Sequence, residues 1–191
     1  MRLFVGVAID AGVVAAAQTL AATLRQRSQQ QAPRARITWI PSELMHLTVR
    51  FIGYADTATV ARIVTALAPS LPLPPFGLTL RGAGVFPERG APRVLWAGVQ
   101  SGTAELRRLE GEVSTRLTVI GIPPDERPFN PHLTLARIRD AAGLHTKLWL
   151  APVEQEPLGT SRVDAITLYE SRLSPQGPTY VPLQRTPLVA V

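Results

Sequence analysis

The sequence predicts an α+β fold of two related lobes with antiparallel strand pairing. Three observations predict it. Apolar, β-branched runs alternate with stretches of helical spacing. The links between them are short and rich in turn residues, which favours antiparallel pairing over long parallel crossovers. The order of elements before a proline-rich segment also looks like the order after it.

Residues 2–9 form an apolar run ended by Asp10 and read as a buried strand. From Asp10 to Arg27, Val13, Ala17, Leu20 and Leu24 recur at helical spacing behind Asp10 as N-cap. Residues 28–36 hold three glutamines and Pro33 and read as a loop. Short strands follow at 37–40, closed by Pro41, and at 47–52, stopped at Gly53. Asp56 then caps a helix carrying Val60, Ile63, Val64 and Leu67 on one face.

Residues 69–75 contain four prolines, exclude a helix interior and form the candidate link between lobes of one domain spanning 1–191. Beyond it, 76–86 and 94–99 read as strands around a Pro/Gly turn, and 103–120 as a helix through Leu106, Leu109, Val113 and Leu117 with Gly121 as its stop. A strand at 133–138, a short helix at 144–150, and strands near 163–172 and 180–188 complete the chain.

Composition excludes several classes of function. With 191 residues, 46% of them hydrophobic and 18% charged, the chain is long enough for a core and is not a disordered polymer. The absence of cysteine removes disulfide scaffolds, cysteine nucleophiles and thiolate metal sites. No apolar stretch reaches membrane-spanning length and the first residues form no secretory signal, so a soluble, cytoplasmic monomer is expected. The net charge of +6 favours polyanionic partners. Lys147 is the only lysine, a bias that codon usage explains without any function.

The chemistry lies in a phrase that occurs twice. Two of the three histidines open it: His46-Leu47-Thr48-Val49-Arg50-Phe51-Ile52 and His132-Leu133-Thr134-Leu135-Ala136-Arg137-Ile138. A given histidine precedes Leu-Thr by chance about one time in a hundred at this composition, so the pair is signal. Strand alternation puts each His and Thr on one face and the leucines on the other. A pseudo-twofold axis would then bring two imidazoles and two hydroxyls into one cleft. Imidazole titrates near neutrality, so one neutral and one protonated ring make a general base and a general acid across a reacting centre. The threonines can hold anionic oxygens, which suits in-line displacement at phosphorus without a metal or other cofactor. The three histidines match no zinc-ligand spacing. His145 has no Thr partner and reads as surface; Arg50 shares strand parity with His46 and reads as facing either cleft or solvent. Trp39 and Trp96 read as core, and Gly82-Ala83-Gly84 as a strand distortion.

The paired phrases resemble those of the two-histidine, LigT-like phosphoesterase superfamily, specifically its bacterial and archaeal RNA 2′,3′-cyclic phosphodiesterases. Similar flanks are Arg2-Leu3-Phe4-Val5, Trp39, Leu95-Trp96-Ala97-Gly98, Pro131, Leu168-Tyr169-Glu170-Ser171 and Gly177-Pro178-Thr179-Tyr180, so the resemblance spans almost the whole chain. It implies two pseudo-twofold-related lobes whose antiparallel sheets face a central cleft, with helices outside. It also implies hydrolysis of a ribose 2′,3′-cyclic phosphate to a 2′-phosphomonoester, on RNA ends or small cyclic nucleotides. It implies His46 as proton donor to the 3′ oxygen, His132 as the base that activates water, and Thr48 and Thr134 as phosphate holders. Phe51 and Arg137, each five places after a histidine, resemble a base-stacking aromatic and a phosphate-side arginine. Strict alternation would send both to the core face, so their use requires a bulge or a strand end. Asn130 stands where many relatives have a basic residue. Rival readings are joining of RNA ends through a 2′–5′ linkage at the same site, and a non-catalytic RNA- or phosphate-binding module with salt-dependent binding.

Overall fold

The computed structural model describes residues 1–175 and 177–190. Its strands are β1 (Arg2–Ala8), β2 (Arg36–Trp39), β3 (His46–Tyr54), β4 (Phe76–Phe86), β5 (Val94–Ser101), β6 (His132–Asp140), β7 (Pro157–Val163), β8 (Ala165–Ser174) and β9 (Gly177–Pro187). The helices are α1 (Ala11–Gln31), α2 (Thr57–Leu67), α3 (Thr103–Val119) and α4 (Thr146–Leu150). Among the described residues these strands form one sheet in the order β7-β4-β5-β6-β3-β1-β8-β9, with β2 added to β6. The fold is α+β, and every pairing between these strands is antiparallel.

The two halves of the sheet meet at one place. β3 and β6 pair only through Leu47 opposite Leu133, the residues that follow the two histidines. Beyond that point the strands part. β6 continues beside β2, while β3 continues beside β1 alone, with Arg50 reaching across to the Pro123 carbonyl. Leu47 and Leu133 are fully buried in the hydrophobic core.

Helices cross over between the halves. α1 follows β1 but packs on β7 and β6, and α3 follows β5 but packs on β3 and α2. Each half of the sheet is therefore covered by a helix begun in the other, which locks the lobes together. α1 buries Val13, Ala17, Leu20 and Leu24 as its spacing predicts. It runs on through the glutamines to Gln31, because glutamine forms helix well and Pro33 is the first residue to forbid it. Asp56 caps α2, accepting the Thr59 N–H at 2.7 Å. Ile120 ends α3, followed by Gly121 at φ +86°.

The proline-rich 69–75 segment is held in place by Leu71. Leu71 is fully buried, donates its N–H to Pro187 and accepts from Val189. β7 is a strand that the sequence pattern does not reveal. Pro157-Leu158-Gly159-Thr160-Ser161-Arg162-Val163 lacks a continuous apolar run, and pairing with β4 makes it a strand. Gly82 is a distortion of β4: its φ is +65°, and a Cβ there would lie 2.0 Å from the Glu154 carbonyl oxygen. No helix among the described residues is long and apolar enough to cross a membrane.

Candidate active site

β3 and β6 each begin at their histidine, side by side at the junction of the two halves. In both, the ring Nδ1 meets the carbonyl two residues back: Leu44 at 2.8 Å for His46, Asn130 at 2.7 Å for His132. A carbonyl only accepts, so Nδ1 carries the proton and Nε2 is left for chemistry. The 3₁₀ turn at Ser42–Leu44 presents the first carbonyl, and the segment before β6 presents the second. The Nε2 of His46 lies 3.0 Å from the Thr48 hydroxyl, which donates to it when the ring is neutral.

The bulge that Phe51 and Arg137 require is present in both strands. Along β3, Thr48 opposes Gly6, Arg50 opposes Val5 and Phe51 opposes Phe4, so Val49 is the extra residue. Along β6, Thr134 opposes Trp96, Ala136 opposes Leu95 and Arg137 opposes Val94, so Leu135 is extra. Both strands bury two residues in succession, Val49-Arg50 and Leu135-Ala136, before exposing the next. Phe51 and Arg137 thus share the face of the histidines and threonines. The first bulge also sends Arg50 to the opposite face, contrary to simple parity. It is buried rather than in solvent, lines the cavity between Thr48 and the 123–131 segment, and donates from Nη2 to the Pro123 carbonyl with Asp125 3.9 Å from Nη1.

Aromatic rings wall the histidines. Phe4 stacks on His46 with centroids 4.7 Å apart, Tyr180 meets the same ring edge-on at 5.1 Å, and Tyr169 stacks on Phe4 at 5.1 Å. Phe86 meets His132 edge-on at 5.1 Å. Phe4, Tyr169 and Tyr180 stand in the family-like flanks, but their place around the histidines, like that of Phe86, escapes sequence reasoning because β1, β4, β8 and β9 reach the site only through pairing. Apart from that resemblance, their sequence signal is aromatic residues at strand positions whose parity matches the cleft face. Trp96 is half-buried and packs against Phe86 rather than lying wholly in the core. Trp149 is the fully buried tryptophan, and its indole donates to Leu24 at 2.8 Å. His145 is exposed at the start of α4.

Burial holds both imidazoles below the ordinary histidine range. The carbonyl bonds at Nδ1 oppose this, and the Arg137 guanidinium adds to it at both rings. His132 also lowers His46, so the charge of one ring is felt at the other. Burial pushes the Tyr180 hydroxyl up, against the pull of Arg137 and Arg2. Arg137 therefore reaches electrostatically across the whole cleft. A cavity of about 630 Å³ adjoins the site, bounded by Thr48, Phe51, Phe86 and His132 and, from the 123–131 segment, Asp125 and Arg127.

Two imidazoles with Nδ1 bonded to carbonyls, two threonine hydroxyls and one guanidinium thus share one face at the junction of the strands. The chain belongs to the 2′-5′ RNA ligase superfamily, whose family model matches residues 14–174. It is 40% identical over 142 residues to the RNA 2′,3′-cyclic phosphodiesterase of Aeropyrum pernix, covering 74% of this chain and 80% of that one. To the enzyme of the same name from Archaeoglobus fulgidus it is 31% identical over 188 residues, covering 96% and 98%. Among solved structures, a Thermus thermophilus protein superposes with a TM-score of 0.75 at 27% identity, covering 100% of this chain and 99% of that one. E. coli LigT in its apo form superposes with a TM-score of 0.72 at 27% identity, covering 98% and 96%.

Proposed function

We propose that this chain is an RNA 2′,3′-cyclic phosphodiesterase in which His46 and His132 act as the acid–base pair. The observation that carries this reading is the matched tautomer. Both rings donate Nδ1–H to a carbonyl, and both turn Nε2 to the same face of adjoining strands. His132 Nε2 takes a proton from water as the oxygen attacks phosphorus. The bond to the 3′ oxygen breaks, and that oxygen takes the proton from His46 Nε2, leaving a 2′-phosphomonoester. Thr48 and Thr134 hold the non-bridging oxygens, Arg137 balances the phosphate charge, and Phe51 carries the terminal base. A histidine held below its usual pKa is a stronger acid once charged, and the arriving phosphate anion supplies the charge that favours its protonation. The substrates are RNA ends or small cyclic nucleotides, met in the cytoplasm, and the whole chain works as one domain.

Phosphorus NMR of adenosine 2′,3′-cyclic phosphate incubated with enzyme and EDTA tests this. Conversion to the 2′-phosphate alone is expected, with His46→Ala and His132→Ala each reducing the rate about 10²–10⁴-fold. Turnover that survives both substitutions would refute the assignment.

A further inference from the structure

The face that bears the histidines does not end at Phe51. Residues directly opposite each other in an antiparallel pair share a face of the sheet. Along β1 and β3 the pairs are Ala8 with His46, Gly6 with Thr48, Phe4 with Phe51, and Arg2 with Tyr54. The alternate β1 residues Leu3, Val5 and Val7 are buried in the core. Tyr54 and Arg2 therefore lie on the cleft face, one step beyond Phe51 on the side away from His46. A second register shift, between Leu3 and Phe4, makes this possible: Ile52 is extra, and Gly53 at φ +88° opposes Leu3. Without it, Tyr54 would point to the core side.

What this places on the surface is unusual for a strand. Tyr54 is 82% exposed and Phe51 46% exposed. The Arg2 guanidinium carbon lies 5.1 Å from the centre of the Phe51 ring, and Arg2 is the residue paired with Tyr54 across the two strands. Phe4 and Arg2, the partners of the two aromatics, are about 7 Å apart along β1. The neighbouring carboxylates have partners of their own, since Asp56 caps α2 and Glu170 pairs with Arg172 at 2.8 Å. One face of the sheet therefore carries Phe51, Arg2 and Tyr54 together, beyond Thr48 and His46.

We propose that Phe51, Arg2 and Tyr54 form an extended docking strip for single-stranded RNA, on which Tyr54 stacks the base that precedes the cyclic end and Arg2 faces the phosphodiester joining the two nucleotides. The proposal rests on the active-site reading above and narrows its substrate to oligoribonucleotides over mononucleotides. Aromatic side chains accept any base through its π-face, and a flanking guanidinium serves the backbone, so the strip recognises a strand and no particular sequence. The net charge of +6 has the sign such a strand requires.

The test compares kcat/KM for adenosine 2′,3′-cyclic phosphate with that for the dinucleotide ApA ending in the same cyclic phosphate. One stacked base corresponds to about five- to 150-fold, so the dinucleotide should lead by at least fivefold, through KM. Tyr54→Ala should bring the ratio of the two substrates close to one, and Tyr54→Phe should restore it. A wild-type ratio near one, or a ratio unchanged by Tyr54→Ala, would overturn the proposal. So would a Tyr54→Ala variant that slows both substrates in parallel, the mark of a structural role. Failure to hydrolyse either substrate would count against the active-site reading instead. The strip is then tested by fluorescence anisotropy of a 5′-labelled adenosine pentanucleotide with a 3′-phosphate. Tyr54→Ala must weaken its binding at least fivefold, and equal binding by both proteins overturns the proposal.

Discussion

Leu47 and Leu133 are the one residue pair through which β3 and β6 are bonded, and they immediately follow the two histidines. Both are fully buried, and both belong to the core cluster that runs through the molecule. Truncating either one to alanine removes a buried isobutyl group and leaves a cavity, at a cost of about 2–5 kcal/mol. Directly opposed side chains on one face have Cβ atoms about 5 Å apart, so each leucine forms a wall of the other's site. The second truncation then removes contacts that the first has already weakened. A double-mutant cycle should show the Leu47→Ala/Leu133→Ala variant less destabilised than the sum of its parents, by about 0.5–3 kcal/mol. Urea unfolding of the four proteins measures this. With a loss of roughly 2–4 °C per kcal/mol for a chain of this length, each single variant should also melt about 4–20 °C lower. Strict additivity, within about 0.5 kcal/mol, would refute the claim that this pair couples the two halves. A functional readout accompanies it: kcat should fall in both single variants because the pair sets the lateral register of His46 and His132.

Three further expectations follow from the site. A histidine held below its usual pKa binds fewer protons folded than unfolded, so His46 and His132 make stability fall as pH drops below about 6.5 toward their folded values. Melting curves between pH 7.5 and 5 should show this decline, and it should be shallower in His132→Ala. Arg137→Gln removes a charge that lowers both rings, so imidazole NMR titrations should move to higher pH in His46 and His132 together. Movement of neither ring would show that Arg137 does not act across the cleft. In Gly84→Ala the new Cβ would sit 2.3 Å from two atoms of the Trp96 ring, an overlap that backbone adjustment relieves at about 1–3 kcal/mol. Thermal melting should register it, and an unchanged Tm would mean the ring swings away freely.

The legible parts of the molecule were those that a local pattern specifies. β1 is an uninterrupted β-branched run, α1 and α3 bury the very positions that their spacing picks out, and the two His-Leu-Thr phrases begin strands. What escaped depends on partners distant in sequence. β7 is a strand because β4 lies beside it, with Ser161 fully buried and bonded to the Asp10 N–H at 2.9 Å. The ring around His46 is assembled from Phe4, Tyr169 and Tyr180, more than 170 positions apart at the extremes. The burial of Arg50 escaped for a subtler reason. Alternation holds only while register holds, and one extra residue reverses every side chain after it.

That same extra residue explains why the phrase has the length it does. An offset of five from the histidine is odd, so an unbroken strand would set Phe51 and Arg137 facing the core. One bulge in each strand makes the offset even, and both side chains join the face of the histidines. The two halves use the device alike and then diverge, placing a ring at this position of one strand and a guanidinium at that of the other. The imidazoles themselves are matched: both bond a carbonyl two residues back through Nδ1. Tautomer therefore does not distinguish acid from base. The differences lie around the rings, in the Thr48 hydroxyl bonded to His46 Nε2 and in the aromatic stack over His46 against the single edge contact at His132. A cyclic phosphate has two faces at phosphorus, the attacking and the leaving one, and in the mechanism proposed above the near-symmetric histidines become acid and base according to which face each meets. Roles fixed by the substrate in this way reverse when the reaction runs backward, as microscopic reversibility requires of one site serving both directions.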